Sequence, residues 1–188
     1  MHDRSLLLVP GLGGSSGGHW QALWAGQDPG FELVEQADWD APDPEIWAEA
    51  LSRTVERAGR PVVLVAHSLG CALVARWAGT AGERLIGTVA GALLVAPADV
   101  DARDRTPDVV RDFSPMPLDP LPFPSVVVAS RDDPYVCGDR AEAFAARWGS
   151  ALRDVGPCGH INTDSGHGPW PEGRAILHDF LMHVSENS

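Results

Sequence analysis

The segment Pro61–Ala66 (PVVLVA) carries no polar side chain and runs straight into His67-Ser68-Leu69-Gly70. A continuous apolar run of this length fits a strand buried on both faces, and such strands belong to parallel sheets covered by helices. The rest of the chain repeats the alternation. Leu6–Val9, Phe31–Val34, Thr88–Val95, Ser125–Ala129 and Ala151–Val155 read as further strands. Between them His19–Ala25, Pro44–Ala58, Leu69–Gly79, Gly138–Trp148 and Pro171–Val184 read as helices. Trp20 and Trp24 share one face of the first helix, Pro44 opens the second, and Gly59 closes it. The pattern predicts an α/β fold with a mostly parallel central sheet flanked by helices. With 188 residues and no repeat or linker, residues 1–188 read as a single domain. Ala98–Pro124, rich in Asp and Pro, breaks the rhythm and has the length and irregularity of a binding loop or lid.

Charge narrows the partners. Twenty-six acidic residues against 14 basic ones give a formal net charge of −12, which repels phosphate backbones and anionic lipid. No nucleic-acid or membrane partner is expected. All 14 basic residues are arginines, so Schiff-base chemistry, a phosphate-binding lysine and a Ser–Lys dyad are excluded. The lone tyrosine, Tyr135, has no lysine to join it in a hydride-transfer site. Cys71, Cys137 and Cys158 lack the spacing of a zinc site and read as reduced thiols. No metal and no organic cofactor are expected. No apolar run approaches the ~20 residues of a membrane span, and the short run before Pro10 does not make a signal peptide. A cytoplasmic protein is expected.

The strongest local signal is Ala66-His67-Ser68-Leu69-Gly70, between the most apolar strand and a helix. A strand turning sharply into a helix lifts its middle residue above the sheet, and small neighbours let the two elements approach. Gly70 meets that need, while Ala66 stands where the usual G-x-S-x-G pattern has glycine. An N-cap role for Ser68 is available whether or not it is a nucleophile. A serine nucleophile needs a base, and the base an orienting acid. Both follow later strands: Asp132 and Asp133 after Ser125–Ala129, and His160 after Ala151–Val155. The order serine, acid, histidine is that of α/β-hydrolases, and open α/β sheets place their sites beyond the C-terminal strand ends. The glycine-rich Gly11-Leu12-Gly13-Gly14 after the first strand supplies an oxyanion loop, so the backbone N–H groups of Leu12 and Leu69 are the expected donors.

These blocks resemble the small serine hydrolases typified by retinoblastoma-binding protein 9 and the bacterial YdeN-like proteins. The likeness rests on VPGLGGSSGGHWQALW, AHSLG, SRDDPYV and CGHINTDSGHGPWPEG, and runs nearly the whole length. It implies a triad of Ser68 as nucleophile, Asp133 as orienting acid and His160 as general base. Asp133 rather than Asp132 is chosen because the family's acid directly precedes the proline. It also implies a compact hydrolase with little or no lid domain.

The expected activity is hydrolysis of a small acyl substrate (an ester, thioester or amide) through an acyl-enzyme on Ser68, with short acyl groups preferred. His19, Trp20 and His167 are candidate pocket residues. His19 equally suits an ordinary helix start, core packing is the default for Trp20, and His167 suits a pocket-rim or surface position or an alternative base. Two other classes compete. A dinucleotide-binding protein is suggested by Gly11-Leu12-Gly13, but Ser16 stands where the third glycine belongs. A non-catalytic interaction module on the same fold is the other. Oligomeric state is not encoded in any visible pattern.

Overall fold

A computed structural model describes residues 4–186. Its six strands are β1 (Ser5–Val9), β2 (Phe31–Leu33), β3 (Val62–His67), β4 (Val89–Val95), β5 (Ser125–Ala129) and β6 (Ala151–Asp154). The helices are α1 (Trp20–Gln27), α2 (Pro44–Ala58), α3 (Leu69–Thr80), the short α4 (Glu83–Ile86), α5 (Gly138–Trp148) and α6 (Pro171–Glu186). A 3-10 helix spans Asp108–Phe113. The strands form one sheet in the order β2-β1-β3-β4-β5-β6, and every pairing is parallel. The chain winds outward from β1 to β2, then returns to β3 and winds the other way. The reversal leaves a crevice at the C-terminal ends of β1 and β3, where open α/β sheets bind ligands.

Side-chain alternation sorts the two layers. Leu7, Val9, Leu64 and Ala66 point to one face, with α2, α3, α5 and the 3-10 helix. Leu6, Leu8, Val63 and Val65 point to the other, with α1 and α6. Both faces are covered, which is why these strands read as unbroken apolar runs. The caps follow the sequence signals: the Asp43 carboxylate accepts the Glu45 and Ile46 N–H groups ahead of Pro44, and Gly59 ends α2 at φ 62°.

The expected elements are present, with shifted ends. β3 includes His67, because its ladder with β4 continues to the His67–Val95 pair. Val34 and Val155 lie beyond their strands, and α4 had no sequence signal. The segment 98–124 is tied down rather than free. Arg140 on α5 holds the Asp99 carboxylate through two bonds of 2.8 and 3.0 Å and reaches Asp101 at 3.0 Å. Asp101 in turn accepts the Ser114 hydroxyl and the Met116 N–H. Further on, Trp148 Nε1–H donates to Pro117 O at 2.7 Å. Val110 and Phe113 are buried in the α2/α3 layer, so the segment is a packed wall over the crevice.

Candidate active site

Ser68 sits at the turn between β3 and α3 with φ 56° and ψ −123°, a region that non-glycine residues occupy only where surrounding structure enforces it. The enforcement is visible at Gly70: a Cβ there would lie 2.3 Å from Val9 O and 2.7 Å from Pro10 O. Only glycine lets α3 come so close to the end of β1. Ala66, where the commoner pattern has glycine, fits without difficulty, its methyl group buried in the core. Gly11 abuts the serine from the other side, with a Cβ position 2.8 Å from Ser68 Cβ and 3.0 Å from Leu69 N.

His160 Nε2 lies 2.8 Å from Ser68 Oγ. Its Nδ1 faces both carboxylate oxygens of Asp133, at 3.0 and 2.9 Å. A carboxylate can only accept, so Nδ1 carries the ring proton and Nε2 is left to accept from the serine hydroxyl. The Asp133 carboxyl is fully buried, and its Oδ1 also accepts the Tyr135 N–H. Asp132, the other candidate acid, does a different job. Its Oδ1 accepts Gly159 N–H at 2.7 Å and the Ser130 hydroxyl at 2.9 Å; those bonds, the Gly159 one foremost, hold its carboxyl below the usual range. Asp132 thus ties the β5 loop to the loop carrying His160. The N–H groups of Leu12 and Leu69 donate to no acceptor among the described residues. Both residues line the cavity beside Ser68, so these unpaired donors are available to a developing oxyanion.

The stretch His19-Trp20-Gln21 links three parts of the site. His19 caps α1, its Nδ1 accepting Gln21 N–H at 3.2 Å. Trp20 Nε1–H donates to Ile161 O at 2.9 Å. The wholly buried Gln21 donates to Val65 O and accepts from the Ser15 hydroxyl, joining the glycine loop to β3. Sequence reasoning singled out neither Gln21 nor His67. His67 Nε2 lies 2.9 Å from His160 O; since a carbonyl only accepts, Nε2–H is the donor. The rings of His19, His67 and His160 stand in a row at 4.8 Å spacings. Burial pushes His67 well below its usual range, with His160 and His19 adding to the effect. Burial, then His160, lowers His19 from 6.5 to about 4.

The site opens into a cavity of about 210 Å³, with His19, Asn162 and Tyr135 in its walls alongside Leu12, Pro107 and Val110. His19 is therefore a pocket residue. Trp20 is not: its ring is fully buried among Trp24, Trp170 and His67, because its N–H is engaged by the Ile161 carbonyl. His167 is not either. Its Nδ1 lies 3.1 Å from Ser165 Oγ, and it lines a separate open groove of about 730 Å³ with Cys158, Trp170 and Glu172. Among the described residues no group of three or more His, Cys, Asp or Glu side chains is placed to hold a metal ion, and no helix is long and apolar enough to cross a membrane.

A doubly wound parallel sheet with a strained serine after β3, a buried aspartate after β5 and a histidine after β6 defines an α/β-hydrolase of the serine class. The serine hydrolase family model matches residues 6–179, and the chain belongs to that family. It is 32% identical to a YdeN-like hydrolase of Pectobacterium atrosepticum, over 97% of this chain and 92% of that one, with a TM-score of 0.84. The ydeN gene product of B. subtilis superposes with a TM-score of 0.70 at 20% identity, covering 98% of this chain and all of that one (100%). A thermophilic esterase of Thermogutta terrifontis shares the fold at 15% identity, with a TM-score of 0.68 over 96% and 90% of the two chains. Comparison with curated protein sequences finds no significant match. The YdeN-like resemblance carried by the sequence blocks is thereby confirmed.

Proposed function

We propose that the protein hydrolyses short, uncharged acyl substrates through an acyl-enzyme on Ser68. The observation that carries this reading is the 2.8 Å contact between His160 Nε2 and the hydroxyl of a serine held at φ 56°. His160 takes the Ser68 proton as Oγ attacks the acyl carbonyl, and the oxyanion is received by the Leu12 and Leu69 N–H groups. His160 then hands the proton to the leaving group. In the second half-reaction it draws a proton from water, whose oxygen attacks the acyl carbon; the bond to Ser68 Oγ breaks, His160 returns the proton to Oγ, and the acid is freed. Asp133 keeps the proton on Nδ1 and stabilises the imidazolium that forms.

The cavity supports the substrate class. At about 210 Å³ it falls below the usual range of small-molecule sites, which suits a short acyl chain. Among the described residues no Arg, Asp or Glu side chain lines it, which disfavours charged acyl groups. The cysteines of the described residues are unpaired, in keeping with a cytoplasmic setting. The test is intact mass after incubation with a fluorophosphonate, on wild type and Ser68→Ala. One adduct on Ser68, absent from the variant, is expected. A well-folded wild type that forms none would overturn this reading and favour the interaction module.

A further inference from the structure

We infer that His19 and Asn162 form a hydrogen-bond-donating subsite for the leaving group, so that the enzyme favours esters whose alcohol carries an uncharged acceptor oxygen near the ester bond. The inference rests on the hydrolase reading above and adds which substrates it selects.

The argument starts from the His19 tautomer. Nδ1 accepts the Gln21 N–H that opens α1, so it carries no proton. The ring's single proton then sits on Nε2, at the edge turned away from the helix. His19 is only 7% exposed, yet Nε2 has no hydrogen-bond partner among the described residues. An N–H that meets the cavity with no protein acceptor is open to whatever acceptor binds there. The ring lines the same cavity as Ser68 and His160.

Asn162 repeats the pattern. Its Oδ1 accepts Ser165 N–H at 3.0 Å, which fixes the amide's orientation and leaves Nδ2 with no acceptor among the described residues. Both groups are neutral donors, and among the described residues no arginine lines the cavity to balance an anion, so an acceptor without charge, such as an ether or hydroxyl oxygen, suits them. Their position assigns them to the departing alcohol. Asn162 stands two residues beyond His160, on the loop that delivers the proton to the leaving group. The rest of the lining includes the apolar Leu12, Ala98, Pro107 and Val110, which suit the acyl chain.

Two butyrate esters isolate the effect: the butyl ester, and the 2-methoxyethyl ester in which an ether oxygen replaces one methylene. The kcat/KM ratio of the second to the first is measured for wild type and His19→Asn. Asparagine preserves the cap by offering Oδ1 to Gln21 N–H but withdraws the donor from the cavity, and the alcohols' intrinsic reactivity cancels between enzymes. The ratio should fall about three- to tenfold, with the variant's melting temperature near that of wild type. An unchanged ratio overturns the subsite. Independently of catalysis, imidazole 15N–1H spectra of wild type should show His19 neutral with its proton on Nε2 at pH 7; a proton on Nδ1 overturns the inference. Turnover of neither ester by an enzyme that still forms the Ser68 adduct overturns the subsite but not the hydrolase. Loss of that adduct overturns both.

Discussion

His67, the residue before the nucleophile, donates its Nε2–H to the main-chain carbonyl of His160, the residue that faces the nucleophile. One turn of chain therefore sets both the serine and the backbone under its base. The next carbonyl, Ile161 O, is held by Trp20, so two successive carbonyls of the histidine loop are gripped by buried ring N–H donors. The loop needs the grip, since Gly159 and Ile161 on either side of His160 both have positive φ. Replacing His67 by Phe removes the donor and leaves His160 O unmatched. We expect kcat to fall about 10- to 100-fold, the scale of a misplacement near 1 Å, while KM moves little. His67→Gln, which offers an amide N–H, should recover part of the loss. Steady-state kinetics on the three proteins decides it; equal rates would show that the bond does not position His160.

Asp133→Asn leaves the shape of the triad intact and inverts its hydrogen bonding. An amide nitrogen facing Nδ1 would favour a proton on Nε2, the atom that must accept from Ser68. The expected loss in kcat is on the order of 10⁴. Asp132→Asn acts only through the loop bonds to Gly159 and Ser130, and its loss should be smaller by at least an order of magnitude. The same kinetic assay compares them; reversed magnitudes would exchange the two acids' roles.

The cluster of Ser68, Asp133 and His160 was legible because each member follows a segment that reads as a strand, and the C-terminal ends of strands converge in a parallel sheet. His67 was not, although it stands inside the same motif. Its role depends on where its ring points from the last position of β3, which a period-two pattern does not resolve. The sequence leaves Trp20 open between core packing and the pocket, because what decides it is an indole N–H drawn to Ile161, 141 positions along the chain. The order of residues 98–124 was hidden for the same reason. Local composition reads as loop, and the Asp99–Arg140 clamp that packs it joins residues 41 apart.

Gly70→Ala tests the turn that strains Ser68. The added methyl would meet two backbone carbonyls, at 2.3 and 2.7 Å, and neither can rotate away as a side chain would. α3 must retreat, at a cost of about 1–3 kcal/mol, and Leu69 N–H retreats with it. A thermal melt lowered by several degrees, together with a fall in kcat beyond tenfold, is the expected pair of results. A stable, fully active variant would mean that the close approach is dispensable.

Asp99→Ala removes the buried carboxylate that Arg140 grips. The segment 98–116 would lose its principal side-chain anchor, while the main-chain N–H of residue 99 would still donate to Tyr135 O. Limited trypsin digestion reads this directly, because Arg103 and Arg105 lie within the segment. Cleavage there should become faster in the variant than in wild type. Unchanged cleavage would show that the buried Val110 and Phe113 suffice to hold the wall.

The buried imidazoles make the fold sensitive to acid. In the unfolded chain each takes up a proton as the pH falls through about 6.5. In the folded protein His19 resists until about 4, and His67 is also shifted well down. Between those values the unfolded chain binds more protons, so the stability these groups contribute is complete above pH 6.5 and declines toward pH 4. Each excess proton steepens the decline by about 1.4 kcal/mol per pH unit. Urea unfolding at pH 7, 5.5 and 4.5 should show the midpoint falling with pH. His19→Asn keeps the helix cap and removes one of the two groups, so its stability should depend on pH less steeply, by about one proton, over the same range. A slope equal to that of wild type would mean that His19 is already protonated in the folded protein at pH 5, and that the cap is not holding its Nδ1 bare.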